Sequence, residues 1–180
     1  MKRLKKVLSR EEIDRMISRA EKLRDKAFIA FLYMTGARVS EVVKKITVHD
    51  FKRQNGFLIV RIPTLKNRSQ PYRFIGMPLS DPYTRIILKY IMLNEKSELP
   101  LWNFSRRYAN KILKSLGGPN VHCHLLRHTR LTHLVVYGGM NEFDLTRFAG
   151  WSDSDPARTY VHMRGDDLLP KIERASREKR

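Results

Sequence analysis

The stretch His124-Leu125-Leu126-Arg127-His128-Thr129 opens a strong predicted helix of the 180-residue chain, which runs from 124 to 137 and ends at Gly138-Gly139. His124 and Arg127 are three positions apart, so they share one face of this helix near its first turn. Free backbone N–H groups there favour an anion, and an arginine can hold two phosphate oxygens with its forked N–H groups. A neutral histidine beside it could accept a proton. The same spacing also occurs by chance in purely structural pairs, so alone it does not establish a site.

Further helices are predicted on both sides of this one, with a short region of strands between them. Ser9 and Glu12 have the spacing of a capping box, which predicts a helix start. Residues 57–62 predict a strand, and residues 71–77 predict a return strand that lies at a sheet edge because of its early proline. The other predicted elements are a short strand near 50–52 and helices at 9–22, 25–35, 39–45, 81–93, 105–116, 141–148, 156–163 and after 166. The sequence thus predicts an α+β fold, mainly α with a small antiparallel β-sheet.

Length and charge restrict the class of protein. We expect residues 1–180 to form a single domain. The formal net charge of +18 comes from 36 basic and 18 acidic residues, and such an excess attracts polyanions such as DNA, RNA, the ribosome or an anionic membrane. No apolar stretch reaches the roughly 20 residues that span a bilayer. With Cys123 as the single cysteine, no disulfide framework is possible, and a cytoplasmic protein without membrane partners is expected.

Arg38 and Lys66 are two further cations with a possible chemical role. Arg38 follows Gly36, whose conformational freedom allows a tight reversal that would aim the arginine inward. Glu41, three positions later, either pairs with an arginine and orients it or is a solvated helix charge. Lys66 falls in the predicted hairpin turn, where it could reach and protonate a leaving oxygen. Arg68 is an alternative for that place, and a solvated turn lysine is the ordinary interpretation.

Tyr160 ends the run Gly150-Trp151-Ser152-Asp153-Ser154-Asp155-Pro156-Ala157-Arg158-Thr159-Tyr160. A free phenol has a pKa near ~10, so attack at neutral pH needs a base or nearby cations. Six other tyrosines are present, and nothing about Tyr160 in isolation selects it.

Two metal sites are conceivable but incomplete. His124 and His128 have the i, i+4 spacing that can chelate zinc on a helix, but no His-Glu-x-x-His motif is present. The acidic pairs at 153 and 155 and at 166 and 167 could indicate a magnesium nuclease, although they are more typical of helix starts and loops. We therefore expect neither a metal nor a cofactor.

Taken together, these motifs resemble the tyrosine recombinase (phage integrase) family over nearly the whole chain. The segment 8–13 is similar to the start of the family's catalytic domain. Thr35-Gly36-Ala37-Arg38-Val39-Ser40-Glu41 resembles its first arginine motif, and residues 124–134 resemble the second. Phe148-Ala149-Gly150-Trp151 followed by Thr159-Tyr160-Val161-His162 resembles the closing motif. Each motif is weak alone, whereas three in this order and spacing are a strong signal.

The resemblance implies a role for each residue. Arg38 and Arg127 would bind the non-bridging oxygens of a scissile phosphate. Tyr160 would attack that phosphate to give a 3′-phosphotyrosyl link and a free 5′-hydroxyl. Lys66 would protonate the leaving oxygen, and His124 would act in proton transfer at the tyrosine. Neither metal nor ATP would be required, because the covalent link stores the bond energy.

The remaining implications concern Trp151 and the partners. Trp151 occupies a position that is often histidine in the family; its indole N–H donates one hydrogen bond but cannot exchange protons, so a positioning role is expected. The implied partners are double-stranded DNA in the nucleoid and further copies of the chain, with a tetramer on DNA that residues 166–180 could join. The separate N-terminal DNA-clamping domain of the family is expected to be absent. Type IB topoisomerase-like relaxation and a non-catalytic nucleic-acid-binding module remain alternatives.

Overall fold

The computed structural model describes residues 7–65 and 70–161 and confirms the predicted mainly helical fold with a small antiparallel sheet. The predicted helix after 166 and the tail lie outside the described residues. Within that part of the chain, no helix is both long and apolar enough to cross a bilayer. The helices are α1 (Arg10–Arg19), α2 (Leu23–Thr35), α3 (Val39–Val42), α4 (Pro82–Leu93), α5 (Arg106–Gly117), α6 (Cys123–Val136), α7 (Glu142–Ala149) and α8 (Asp155–Arg158), with a 3₁₀ helix at Val48–Asp50. The strands are β1 (Phe51–Gln54), β2 (Phe57–Pro63) and β3 (Tyr72–Pro78).

Helix starts follow the capping residues read from the sequence. The Ser9 hydroxyl accepts the backbone N–H of Glu12 at 3.2 Å, and the Glu12 carboxylate accepts the backbone N–H of Ser9 at 2.8 Å. Such a reciprocal pair satisfies two backbone donors that the first helical turn leaves unpaired. Asn141 and Asp144 form the same reciprocal pair at the start of α7, whereas at the start of α5 the Ser105 hydroxyl accepts the backbone N–H of Tyr108. The end of α1 is earlier than predicted, because Ala20 already has an extended conformation.

The three strands form an antiparallel sheet in the order β1-β2-β3. As the early proline predicts, β3 lies at an edge. Leu58, Val60 and Ile62 of β2 are buried, whereas Phe74 on the opposite face of β3 is 66% exposed. One face of the sheet therefore packs on the core, and the other faces solvent.

The core is built around α2. Every residue from Ala27 to Thr35 is buried, so this helix has no polar face and must be enclosed on all sides. It packs against α1, α4 and α6. Trp102 closes one end through ring contacts with Phe28 and Phe31 at 5.8 and 4.7 Å between centroids. Burial of α2 from Ala27 to Thr35 fixes the place of its C-terminal end, which leads to Arg38.

A second, smaller apolar cluster supports the closing motif that carries Trp151 and Tyr160. Its buried members come from α6, α7 and α8, and they are Leu131, Val135, Leu145, Ala149 and Ala157. Trp151 and Tyr160 pack against it. The prediction that Tyr160 lies within a helix at 156–163 is wrong, since α8 ends at Arg158 and Tyr160 follows in a turn. The position of Tyr160 is thus set by packing on this cluster.

Candidate active site

Arg127 joins three distant segments of the chain. It is the fifth residue of α6 and is 3% exposed. Its Nη1 donates to the carbonyl oxygen of Gly36 at 2.6 Å, and its Nη2 donates to that of Ala149 at 3.2 Å. Both carbonyls lie at helix C-termini, where backbone acceptors lack helical partners and attract a cation. These bonds use two of the five N–H donors of the guanidinium.

The surroundings of Arg127 lower the pKa of its guanidinium. Burial, together with the positive charges of Arg38 and Arg73, lowers the pKa of Arg127 to about 10. The charge of Glu41 opposes this effect. Because a pKa of about 10 lies well above neutral pH, the guanidinium stays protonated there. It therefore remains a cation in a largely desolvated position, where its field is strong.

Arg38 points inward, as the sequence predicts. Of the two roles left open for Glu41, the structure shows the ion pair. Arg38 precedes α3, and its Nη1 donates to Glu41 Oε1 at 2.9 Å. Its backbone N–H donates to Glu41 Oε2, also at 2.9 Å. Glu41 is fully buried. The left-handed conformation of Gly36, with φ of 57°, makes the reversal that places Arg38 opposite this carboxylate.

Arg73 is a third arginine of the site, and sequence reasoning missed it. It lies on β3, is 3% exposed, and donates from Nη2 to Glu41 Oε2 at 2.9 Å. Burial alone would raise the pKa of Glu41, but the charge and hydrogen bond of Arg73, with the hydrogen bonds of Arg38, hold it below its ordinary value. A signal was available, because strand alternation places Arg73 on the same inward face as Ile75 and Met77.

Tyr160 lies against Trp151 and His128. The ring centroids of Tyr160 and Trp151 are 6.0 Å apart in a stacked arrangement, and those of Tyr160 and His128 are 5.2 Å apart. The guanidinium carbon of Arg127 lies 5.4 Å from the Trp151 ring centroid. Burial raises the pKa of the half-buried Tyr160 phenol, and the charge of Arg127 acts in the opposite direction. The phenol is therefore neutral at physiological pH and needs a base in order to react.

His124 and His128, which flank Arg127 in α6, occupy different environments. His124 is exposed, and its ring lies parallel to that of His122 at 6.5 Å between centroids. His128, one turn further along α6, is the histidine that contacts Tyr160. Among residues 7–65 and 70–161, no group of three or more His, Cys, Asp or Glu side chains could hold a metal ion.

Lys66 and its alternative Arg68 lie outside the described residues, but the base of their hairpin is defined. The backbone N–H of Thr64 donates to the carbonyl of Pro71 at 2.7 Å, and the Thr64 hydroxyl donates to that of Gln70 at 2.6 Å. This base packs on Gly150, where an added Cβ would lie 2.5 Å from Thr64 Cγ2. The hairpin therefore begins beside the residue that precedes Trp151.

The structure thus brings four of the predicted site residues, Arg38, Arg127, Trp151 and Tyr160, close together in one candidate site. The sequence profile of the phage integrase family matches residues 6–166. The chain belongs to the phage integrase family.

Curated relatives of this family member carry the names of tyrosine recombinases. The chain is 27% identical over 166 residues to tyrosine recombinase XerA of Saccharolobus solfataricus, and 26% identical over 184 residues to tyrosine recombinase XerD of Vibrio vulnificus. The matches cover 91% and 92% of the chain but 54% and 59% of the relatives. The chain therefore spans little more than half the length of these relatives.

Solved structures show the same fold. The XerH recombinase bound to its difH substrate superposes with a TM-score of 0.71 at 19% identity, covering 92% of this chain and 53% of that one. The XerA recombinase superposes with a TM-score of 0.70 at 20% identity, covering 96% and 66%. At these identities the likeness shows that this chain has the same fold as the two recombinases.

Proposed function

We propose that this chain is the catalytic domain of a site-specific tyrosine recombinase that breaks and rejoins DNA through a 3′-phosphotyrosyl intermediate. The observation that carries the proposal is the placement of Tyr160 against Trp151, which in turn lies over the guanidinium of Arg127. A phenol, an indole and a buried cation are thus assembled from two segments of the chain. A protein that only binds nucleic acid has no need for a tyrosine held in this way.

The proposed reaction is an in-line exchange of phosphodiester bonds. The Tyr160 oxygen forms a bond to phosphorus and loses its proton, while the bond from phosphorus to the 5′ oxygen breaks. The departing 5′ oxygen takes up a proton, for which Lys66 is the proposed donor. Arg38 and Arg127 would hold the non-bridging oxygens, where preorganised donors stabilise the charge of the transition state. Rejoining is the reverse attack by the 5′-hydroxyl, so the exchange consumes neither ATP nor water, and we propose that it needs no metal.

The proton of Tyr160 requires an acceptor. His124 is the residue that the resemblance proposes for this transfer, and its position in the first turn of α6 keeps it accessible. The contact of His128 with the Tyr160 ring supports a different contribution, which is to orient the phenol. Trp151 packs on the other side of the ring and supports the same orientation. We assign proton transfer to His124 and positioning to Trp151.

Double-stranded DNA is the proposed substrate. The net charge of +18 favours encounter with a polyanion. The XerH structure contains its difH substrate and that of the Tn1549 transposon integrase contains transposon right end DNA, which supports the same substrate class for a chain of this fold. Assembly of several copies on DNA, with residues 166–180 at the contact between copies, remains part of the proposal.

A nicked suicide duplex tests the proposal directly. After cleavage, the short strand beyond the break diffuses away, so rejoining is prevented and the protein stays attached to the 3′ end. We expect a covalent adduct that survives denaturation, and peptide mass spectrometry should locate the nucleotide on Tyr160. A supercoil-relaxation assay and a two-site strand-exchange assay with the same protein separate topoisomerase from recombinase activity. No adduct, or an adduct on another residue, would contradict the proposal.

A mixture of two inactive variants tests which copy supplies the nucleophile. Because Tyr160 and the Arg127 of its own chain both pack on the Trp151 ring, we expect action in cis. Combining Tyr160→Phe with Arg127→Ala should then give no covalent product above either variant alone. Product in the mixture, attached to the Arg127→Ala chain, would show donation between copies.

A further inference from the structure

Arg73 is a buried cation that belongs to none of the recognised motifs. It lies opposite Ile62 in the register of β2 and β3, on the apolar face that carries Ile75 and Met77. A charged group at such a position is unfavourable unless it is paired and hydrogen-bonded. Within the described residues, Nε and Nη1 of Arg73 have no hydrogen-bond partner, and only Nη2 reaches Glu41. Stability alone therefore does not explain why a buried arginine is held in this way.

On one side, Arg73 shares a carboxylate with Arg38. Glu41 Oε2 accepts from Arg73 Nη2, and Glu41 Oε1 accepts from Arg38 Nη1, both at 2.9 Å. The carboxylate is fully buried and thus depends on these cations for its charge. The arrangement is a chain of three groups that links β3 to the residue proposed to bind phosphate.

On the other side, Arg73 packs against the segment that carries Trp151 and Tyr160. A Cβ added at Gly150 would lie 2.9 Å from Arg73 Nη1 and 3.0 Å from Arg73 Cδ. Gly150 immediately precedes Trp151. The preceding residue, Ala149, accepts a hydrogen bond from Arg127. Arg73 therefore touches both halves of the candidate site.

We infer that Arg73 is a positioning residue for DNA cleavage, which holds Glu41 against Arg38 while it fixes the Gly150 turn that carries Trp151 and Tyr160. The inference rests on the proposed function. Arg73 is itself too buried to touch substrate in this structure, so its effect passes through Glu41 and Gly150. Geometry of this kind matters because a displacement of about 1 Å in a reacting group can lower a rate by about 10²-fold.

Arg73→Met tests the inference, with Arg61→Met as the matched control. Arg61 lies on the adjacent strand, but its side chain is 49% exposed and pairs with Asp50 at 2.9 Å. Single-turnover cleavage of the nicked suicide duplex, with protein in excess, gives the rate of covalent attachment. At neutral pH we expect Arg73→Met to be slower than Arg61→Met by about 10²-fold, with equal DNA affinity by fluorescence anisotropy.

The pH dependence distinguishes positioning through Glu41 from a general structural role. Glu41 faces Arg38 of its own turn, Arg73 of β3 and Arg127 of α6. When Arg73 is removed, burial raises the pKa of Glu41, so the carboxylate becomes neutral as the pH falls through that raised value and its hold on Arg38 weakens. Arg73→Met should therefore lose activity toward acidic pH more steeply than the wild type and recover part of it at alkaline pH.

Each outcome has a definite meaning. If the wild-type chain forms no adduct, the proposed function fails, whatever Arg73 does. If the wild type reacts and Arg73→Met matches Arg61→Met, or is slower by one constant factor at every pH, the inference about Arg73 is overturned. Should Arg73→Met fail to fold, Arg73→Lys decides, because lysine keeps the charge but lacks the fork that spans Glu41 and Gly150. We expect it to react several-fold more slowly with a wild-type pH profile, and a wild-type rate would refute the inference.

Discussion

Tyr160→Phe should form at least about 10³-fold less covalent DNA adduct than the wild type, because removal of a nucleophile leaves no other group in its place. The substitution deletes one oxygen and retains the ring. The contacts of that ring with Trp151 and His128 at 6.0 and 5.2 Å are thereby preserved. DNA affinity should change by less than about twofold, since phosphate contacts by many cations dominate binding. Denaturing gel electrophoresis of suicide-substrate reactions measures the adduct, and anisotropy measures binding.

Tyr137→Phe is the matched control for this variant. Tyr137 follows α6, is 78% exposed, and its ring contacts His133, so the control loses the same oxygen from a solvent-exposed side chain. Its adduct should equal that of the wild type. Adduct formation by Tyr160→Phe at the wild-type level would show that another residue is the nucleophile.

Local signals in the sequence predicted most helix starts and strands correctly. Ser9 and Asn141 act within one turn of their own position, so their capping role needs no knowledge of the rest of the fold. The alternation of β2 and the early proline of β3 are local in the same sense. The predicted placement of β3 at a sheet edge is confirmed. The end of α8 was missed, because Tyr160 is held by packing on a cluster that α6 and α7 also form.

The sequence indicated several residues of the candidate site, but it did not predict the hydrogen bonds that join them. Glu41 lies three residues from Arg38, a spacing that suits either an ion pair or a solvated charge. Arg73 decides between these two roles of Glu41. It lies 32 positions from Glu41 in the sequence and reaches the carboxylate only when β3 pairs with β2. The assignment of proton transfer to His124, which the resemblance implies, stays a prediction. The contact of the His128 ring with Tyr160 was not predicted from the sequence.

Arg127 makes structural hydrogen bonds in addition to its proposed contact with phosphate, so its removal should be especially damaging. Its hydrogen bonds to Gly36 and Ala149 fix the turns that lead to Arg38 and to Trp151. In Arg127→Ala both carbonyls lose a buried donor, and each loss costs about 1–3 kcal/mol. The free energy of unfolding should fall accordingly, which urea denaturation followed by circular dichroism can measure. The proposed phosphate contact is lost together with these bonds.

Arg127→Ala should therefore cleave about 10³-fold more slowly than the wild type, by comparison with the removal of preorganised donors in other active sites. Its DNA affinity should fall far less, since one phosphate contact among many is removed. Arg147→Ala is the control, because Arg147 is exposed on α7 and its loss removes one positive charge. Arg127→Lys keeps the charge without the fork and should cleave faster than Arg127→Ala, although more slowly than the wild type. Equal losses of affinity and cleavage rate in Arg127→Ala would mean that the guanidinium only binds DNA.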